Sequence, residues 1–327
     1  MEKTPLPELS AGNRYYDNTM LSAYKDCPRK YLIRHILGWR GTGVSHALAF
    51  GLSWHSAMDT LWQHSRGLPT GARKDVIHLS MDSFLKTWQA EGLPSEPTIE
   101  QMDVLGARTP GVAQAMLDGY LQERWKIIQE AELLACEQPI AVPLPGVTDV
   151  WYIGRLDKVI SLNGDILTLE HKTTTEYKKD GGFKTAYVEG WYSDSQIKGY
   201  QFGGGLFFPG HSQVWVDAAL VHKTVHNAFR LIPVAHQTPL LLEWAADTRE
   251  WVERIETDTL RIGTKHIAFP KNENSCMGKF GPCPFLNICR TTPDPMQLDG
   301  PPEGFVEDFW KPFDILGLDK LTNKEPK

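Results

Sequence analysis

Asp157, Glu170 and Lys172 are the residues of this 327-residue sequence whose types and spacing most directly point to chemistry. They lie in Gly154-Arg155-Leu156-Asp157 and Glu170-His171-Lys172, with Asn163-Gly164 between them, a pair that favours a two-residue hairpin turn. Residues two apart on a strand share a face, so Glu170 and Lys172 point together and Asp157 can face them from the partner strand. Two carboxylates and an ammonium are costly to bury without compensation. A hard divalent cation on the carboxylate oxygens offsets that cost and leaves Lys172 to meet an anion, which fits Mg2+ or Mn2+ with a phosphate. Charged strands without a site also show this pattern. The apolar run Ile166, Leu167 and Leu169 argues instead for a buried strand whose charged end opens at a site, with His171 alternating to the opposite face.

Three further sets of residues accompany this group. Gln196 and Tyr200 are four apart and share one face of a helix. His55 follows Gly51 by four positions inside an early helical pattern. Cys27 near one end and Cys276, Cys283 and Cys289 near the other make four thiolates, the number taken by an iron–sulfur cubane and also suited to structural zinc. Cys136, in a strand-like run, reads as a buried apolar residue.

The elements that must position these residues divide the chain by texture. Residues 1–18 read as irregular, and 19–131 as a mainly helical region with helices over about 19–37 (capped by Thr19), 47–65, 75–91 and 110–131. Residues 132–262 read as an α/β core, with strands at about 133–142, 151–161, 166–171, 213–223 and 228–234 and helices at 193–203 and 239–261. Residues 263–290 form a cysteine segment expected to close onto Cys27, and 291–327 a tail. The fold class expected is α/β, a mixed central β-sheet flanked by helices, with a helical N-terminal region and a C-terminal metal-cluster segment.

Composition narrows the functional classes. Apolar residues at 41% and charged residues at 23% are ordinary globular usage, which argues against disorder and coiled coil. No run is long and apolar enough to span a bilayer and no signal-peptide pattern opens the sequence, so a cytoplasmic, reducing location without membrane contact is expected. Five cysteines are too few for a disulfide scaffold at this length. With 34 Lys and Arg against 40 Asp and Glu the net charge is −6, so any nucleic-acid path must be local. Lys25, Arg29, Lys30 and Arg34 on the first helix, with Lys178, Lys179 and Lys198 near the motifs, are its candidates. Tyr177, Trp191 and Tyr192 lie nearby in sequence, where they could stack on unpaired bases. No Gly-x-x-x-x-Gly-Lys-Ser/Thr loop of an ATP-driven motor occurs.

In order and spacing these motifs resemble the RecB-like branch of the PD-(D/E)XK nuclease superfamily, over about 21–290. The cysteines resemble the iron–sulfur subset of that branch, similar to AddB-type and CRISPR adaptation-associated nucleases. Six residues separate Cys276 from Cys283, where those families often have two, and Gly278 and Gly281 would let the excess loop out. The resemblance implies that the core is restriction-endonuclease-like and that the chain is a metal-dependent deoxyribonuclease, an exonuclease on single-stranded DNA or DNA ends in recombination, repair or replication. Asp157, Glu170, Lys172, Gln196 and Tyr200 would be catalytic. Mg2+ or Mn2+ would be held by His55, Asp157, Glu170 and the His171 carbonyl, and a 4Fe-4S cluster, or zinc as the lesser alternative, by Cys27, Cys276, Cys283 and Cys289. A separate helicase or recombination subunit is the partner implied. The alternative is a non-catalytic DNA-end-binding or assembly subunit of a nuclease–helicase complex.

Overall fold

The computed structural model of the chain describes residues 12–147, 149–178, 182–264, 268–278 and 281–316; Lys179 lies outside them. Strand β1 (Arg14–Tyr16) opens the described chain, within the stretch read as irregular. The single helix expected over 19–37 is divided into α1 (Asn18–Asp26), α2 (Pro28–Tyr31) and a π-helical stretch, Leu32–Ile36. Asp17, not Thr19, caps α1 by accepting the Met20 N–H at 2.8 Å. The break has a local cause: Pro28 disfavours helical backbone at the residue before it, and Cys27 is extended at φ −159° and ψ 115°. The chain continues through β2 (Trp39–Gly41), α3 (His46–Ser65), α4 (Arg73–Ala90), α5 (Ile99–Leu105) and α6 (Pro110–Glu130). It then runs through β3 (Glu132–Pro143), β4 (Val150–Leu162), β5 (Asp165–Thr174), α7 (Thr185–Gly190), α8 (Ser195–Phe207), β6 (His211–Leu220), β7 (Phe229–Val234) and α9 (Thr238–Leu260). Last come β8 (Met277–Gly278), β9 (Gly281–Pro282), α10 (Leu286–Thr291), β10 (Phe305–Glu307) and α11 (Pro312–Leu316).

The main sheet is mixed, in the order β1-β4-β5-β6-β7 with β3 also on β4, and helices accompany it as the fold class expects. β4 and β5 form the expected hairpin, with Asn163 and Gly164 both in the left-handed region (φ 53° and 91°) that a tight turn of this hand requires. β5 and β6 run parallel, so the chain must cross back between them, and α7 and α8 make that crossing.

The described chain forms two compact units that interleave along the sequence. One comprises residues 44–140 and 155–237, the other the described parts of 6–43, 141–154 and 238–327. The first unit has the larger core: Phe50, Trp54, Met58 and Leu61 of α3 pack with Phe84 and Trp88 of α4, Tyr120 of α6 and the apolar faces of β4 and β5. In the second, Ile33 and Trp39 pack with Phe285 and Ile288. No helix among the described residues is long and apolar enough to cross a membrane.

Candidate functional site

The hairpin delivers the charged residues to one place in the first unit. Its antiparallel ladder pairs Lys158 with Leu169, and the step beyond carries Asp157 and Glu170, with Lys172 two residues further along β5. Asp157 Oδ2 accepts the backbone N–H of His171 at 2.8 Å and lies 3.1 Å from His55 Nδ1. Lys172 Nζ donates to Glu170 Oε1 at 2.6 Å and to Gln196 Oε1 at 3.2 Å. The other end of the Gln196 amide donates to the Tyr200 hydroxyl at 2.9 Å, one turn along α8, which fixes the amide with its oxygen toward the lysine. Asp194 caps α8 by accepting the N–H groups of Gln196 and Ile197. His55 with Asp157, and Glu170 with Lys172, Gln196 and Tyr200, thus form two bonded sets that the backbone of β5 at His171 joins.

Burial sets the electrostatics. Glu170 is 1% exposed, and its Oε2 has no hydrogen-bond partner among the described residues. Burial, with the Asp157 charge close by, pushes its carboxyl up to about 7 despite Lys172. Burial also acts to raise Asp157, but His55, Lys158 and Lys172 overcome it and hold that carboxyl well below the usual range. Burial acts to lower Lys172, and Glu170 and Asp157 more than restore it, so the ammonium keeps its proton. A buried carboxylate oxygen without a donor, beside an ionised carboxylate and an imidazole, is what an oxygen-preferring divalent cation would satisfy.

Glu137 is a member of this site that the motifs do not show. Ligand atoms of His55, Glu137 and Asp157 lie within 4.8 Å of one another. Glu137 breaks the regularity of β3 with a φ of 51°, a conformation uncommon outside glycine, and Arg155 Nε holds its Oε2 at 2.6 Å. Burial, then the Asp157 charge, pushes its carboxyl up to about 7. The sequence carries one faint sign, Pro139 two positions on, since proline inside a strand marks an irregularity.

The cysteines gather in the second unit. Cys27, Cys276, Cys283 and Cys289 line a single small cavity together with Asn272 and Phe285. β8 and β9 pair antiparallel and return Cys283 to Cys276, whose carbonyl accepts the Cys283 N–H at 2.9 Å, so the six-residue gap is spent on a small hairpin. The Asn272 N–H donates to Cys27 Sγ at 3.3 Å, and the Asn272 and Ser275 side chains both donate to the Asp26 carbonyl at 2.7 Å. No three cysteine sulfurs among the described residues lie within 4.8 Å of one another. Cys136 sits in the other unit, only half-buried, its thiol pushed up to about 11 by burial.

The basic candidates have different fates. Arg29 is buried, its guanidinium donating to the carbonyls of Phe269 and Pro293, so it ties chain segments together and presents no charge to a polyanion. That corrects its expected place on a basic surface, a consequence of the turn at Pro28. Lys30 pairs with Asp26 at 2.8 Å, Arg34 donates to the Asp308 carbonyl at 2.7 Å, and Lys25 lies 5.6 Å from the Trp251 ring centroid. Lys178 is exposed and Lys198 half-exposed on α8. Tyr177 and Tyr192 are exposed, and the Trp191 ring centroid is 6.0 Å from Lys172 Nζ.

A mixed sheet that brings two carboxylates and a lysine together at neighbouring strand positions is the build of a metal-dependent phosphodiester hydrolase. The PD-(D/E)XK nuclease superfamily model matches residues 18–290, and the chain belongs to that superfamily, whose nucleases use divalent metals. No curated protein matches the sequence. Among solved structures, a protein from Eubacterium rectale provisionally designated an exonuclease is similar over 90% of this chain and 96% of its own, at 16% identity and a TM-score of 0.48. An alkaline exonuclease from Laribacter hongkongensis is similar over 65% of this chain and 91% of its own, at 8% identity and a TM-score of 0.27.

Proposed function

We propose that this nuclease is an exonuclease acting on single-stranded DNA or DNA ends in the cytoplasm, with Mg2+ or Mn2+, in recombination, repair or replication, alongside a separate helicase or recombination subunit. The observation that carries the metal-dependent reading is the buried Oε2 of Glu170, without a hydrogen-bond donor among the described residues, beside Asp157 and Lys172. Asp157, Glu170 and His55 would hold the cation, with the His171 carbonyl completing the set and Glu137 in reach of the same neighbours. When bound, such a cation polarises a phosphate and lowers the pKa of water. Lys172, charged and held by Glu170 and Gln196, would supply a fixed positive charge to a phosphate gaining negative charge. Gln196 and Tyr200 act through Lys172 by restricting where its ammonium can point. Exposed Tyr177 and Tyr192 suit unpaired bases, which favours single-stranded ends.

We also infer that Cys27, Cys276, Cys283 and Cys289 hold a 4Fe-4S cluster. Four thiols around one cavity match the ligand count. Structural zinc is the lesser alternative for the same four thiolates.

The test is degradation of 5′- and 3′-labelled single- and double-stranded DNA and of a closed circle, with Mg2+ or Mn2+. Wild type should degrade linear DNA and spare the circle, and Asp157→Ala and Lys172→Ala should each lower the rate on the order of a thousandfold at matched circular dichroism. A wild type that binds ends without cutting, or cuts no faster than both variants, replaces this reading with the end-binding subunit. Cleavage of the circle replaces exonuclease with endonuclease.

A further inference from the structure

Glu170 and Lys172 leave β5 on one face and His171 leaves it on the other, where it is fully buried. Neither ring nitrogen of His171 has a hydrogen-bond partner among the described residues. What surrounds the ring is a compact polar network. Asp217, opposite His171 in the parallel ladder of β5 and β6, places Oδ2 3.7 Å from His171 Nδ1. The same carboxylate accepts the Tyr120 hydroxyl at 2.7 Å and Arg124 Nη2 at 3.0 Å, and Trp62 Nε1 donates to the Tyr120 oxygen at 3.0 Å. Asp217 and Tyr120 are each 1% exposed, Trp62 3% and Arg124 5%. The Tyr120 ring stands edge-on to the His171 ring at 6.0 Å, and His55 approaches from the metal side at 6.3 Å.

A buried ion pair of this kind contributes little net stability, because desolvation cancels most of its attraction and well-packed apolar residues often do as well. Its geometric effect is larger. The backbone of His171 gives its N–H to Asp157 and joins Glu170 to Lys172, so whatever fixes the His171 ring also fixes the strand from which the site projects.

We propose that Asp217, braced by Arg124 and Tyr120, is a positioning residue for the metal site and acts through His171 from the back of β5. This rests on the metal-dependent reading above. Such groups behind a ligand commonly change metal affinity by about 10- to 100-fold.

The experiment is Mn2+ binding to the full chain, followed by the paramagnetic resonance of free Mn2+, for wild type, Glu170→Gln, Tyr120→Phe and the pair Asp217→Leu with Arg124→Met. Thermal unfolding is measured in parallel. The expected result is Mn2+ binding about 10- to 100-fold weaker in the pair, at an unfolding temperature near or above wild type, and severalfold weaker in Tyr120→Phe, whose unfolding temperature falls because Asp217 and Trp62 Nε1 each lose a partner. DNA KM at saturating Mn2+ stays within about twofold of wild type, because the network touches no substrate. Wild-type Mn2+ affinity in the folded pair, with Glu170→Gln weakened, overturns this proposal and leaves the metal site standing. Where the pair does not fold, wild-type affinity in Tyr120→Phe overturns it. Unchanged binding in Glu170→Gln removes the metal site itself, and this proposal with it.

Discussion

The carboxylate site and the cysteine site are built on opposite principles. At the first, the side chains hold one another: Asp157 takes a backbone N–H and an imidazole, Lys172 takes Glu170 and Gln196, and Lys158, fully buried one residue from Asp157, pairs with Asp59 at 2.8 Å. At the second, half-buried thiols line a cavity, and the polar contacts run mostly through the backbone and the side chains of Asn272 and Ser275. A charged site in a sheet is organised by its own chain, because every unmatched charge there is expensive. A ring of thiols has no such internal partner. Burial raises the Cys283 and Cys289 thiols, although Lys30 acts to lower the first and Lys271 and Arg29 the second.

The largest effect that separates the two sites is their response to losing one ligand. Cys27→Ser should abolish absorption near 400 nm and bound iron in anaerobically purified protein and lower the unfolding temperature by roughly 10 °C, because metal binding there is folding energy. Glu170→Gln should abolish cleavage yet leave that temperature within a few degrees of wild type or above it, since it removes a charge that burial disfavours. An iron-free wild type as stable as the serine variant would end the contrast.

Proton competition sharpens the comparison next. Burial and the Asp157 charge push the Glu170 carboxyl up to about 7, against 4.5 for an ordinary glutamate, so its protonated form is favoured by folding. Its contribution to the stability of the metal-free chain is therefore fully present below about 4.5 and lost as pH rises through about 7. Metal affinity runs the other way: Mn2+ must displace that proton, so binding should strengthen by up to about tenfold per pH unit below 7 and level off above it. Affinity that is flat from pH 5.5 to 8 would contradict this.

Glu137→Gln comes third, with Mn2+ binding expected to be roughly tenfold weaker by titration calorimetry. Unaltered binding would make Glu137 a bystander pinned by Arg155. The smallest effect contrasts two basic residues. Lys198→Ala should reduce the slope of log affinity against log salt for single-stranded DNA by about 0.7, one phosphate contact. Arg29→Ala should leave that slope alone and lower stability instead, having lost its hydrogen bonds to the carbonyls of Phe269, which is buried, and Pro293.

Much of the carboxylate site was legible because its logic is local. The Asn163-Gly164 turn fixes the pairing of β4 with β5, the two-residue period puts Glu170 and Lys172 together, and the four-residue helical spacing joins Gln196 to Tyr200. Glu137 was not legible, because its place depends on one left-handed residue inside a strand. Arg29 was misplaced because a smooth helical pattern conceals the turn that Pro28 imposes. β1 was missed because three residues held by a parallel partner far away in sequence carry no periodicity of their own.

Alone, the sequence determined which side chains can do chemistry and which local frames carry them, since hairpin turns, strand alternation and helical spacing act over a few residues. Only the tertiary structure decided which of those charges are buried, and so which must be matched. Asp217 lies opposite His171, Lys158 reaches Asp59 and Cys27 meets Cys276, Cys283 and Cys289 through packing between distant segments. Desolvation gives those meetings their energy, and it exists only once the chain has closed around them.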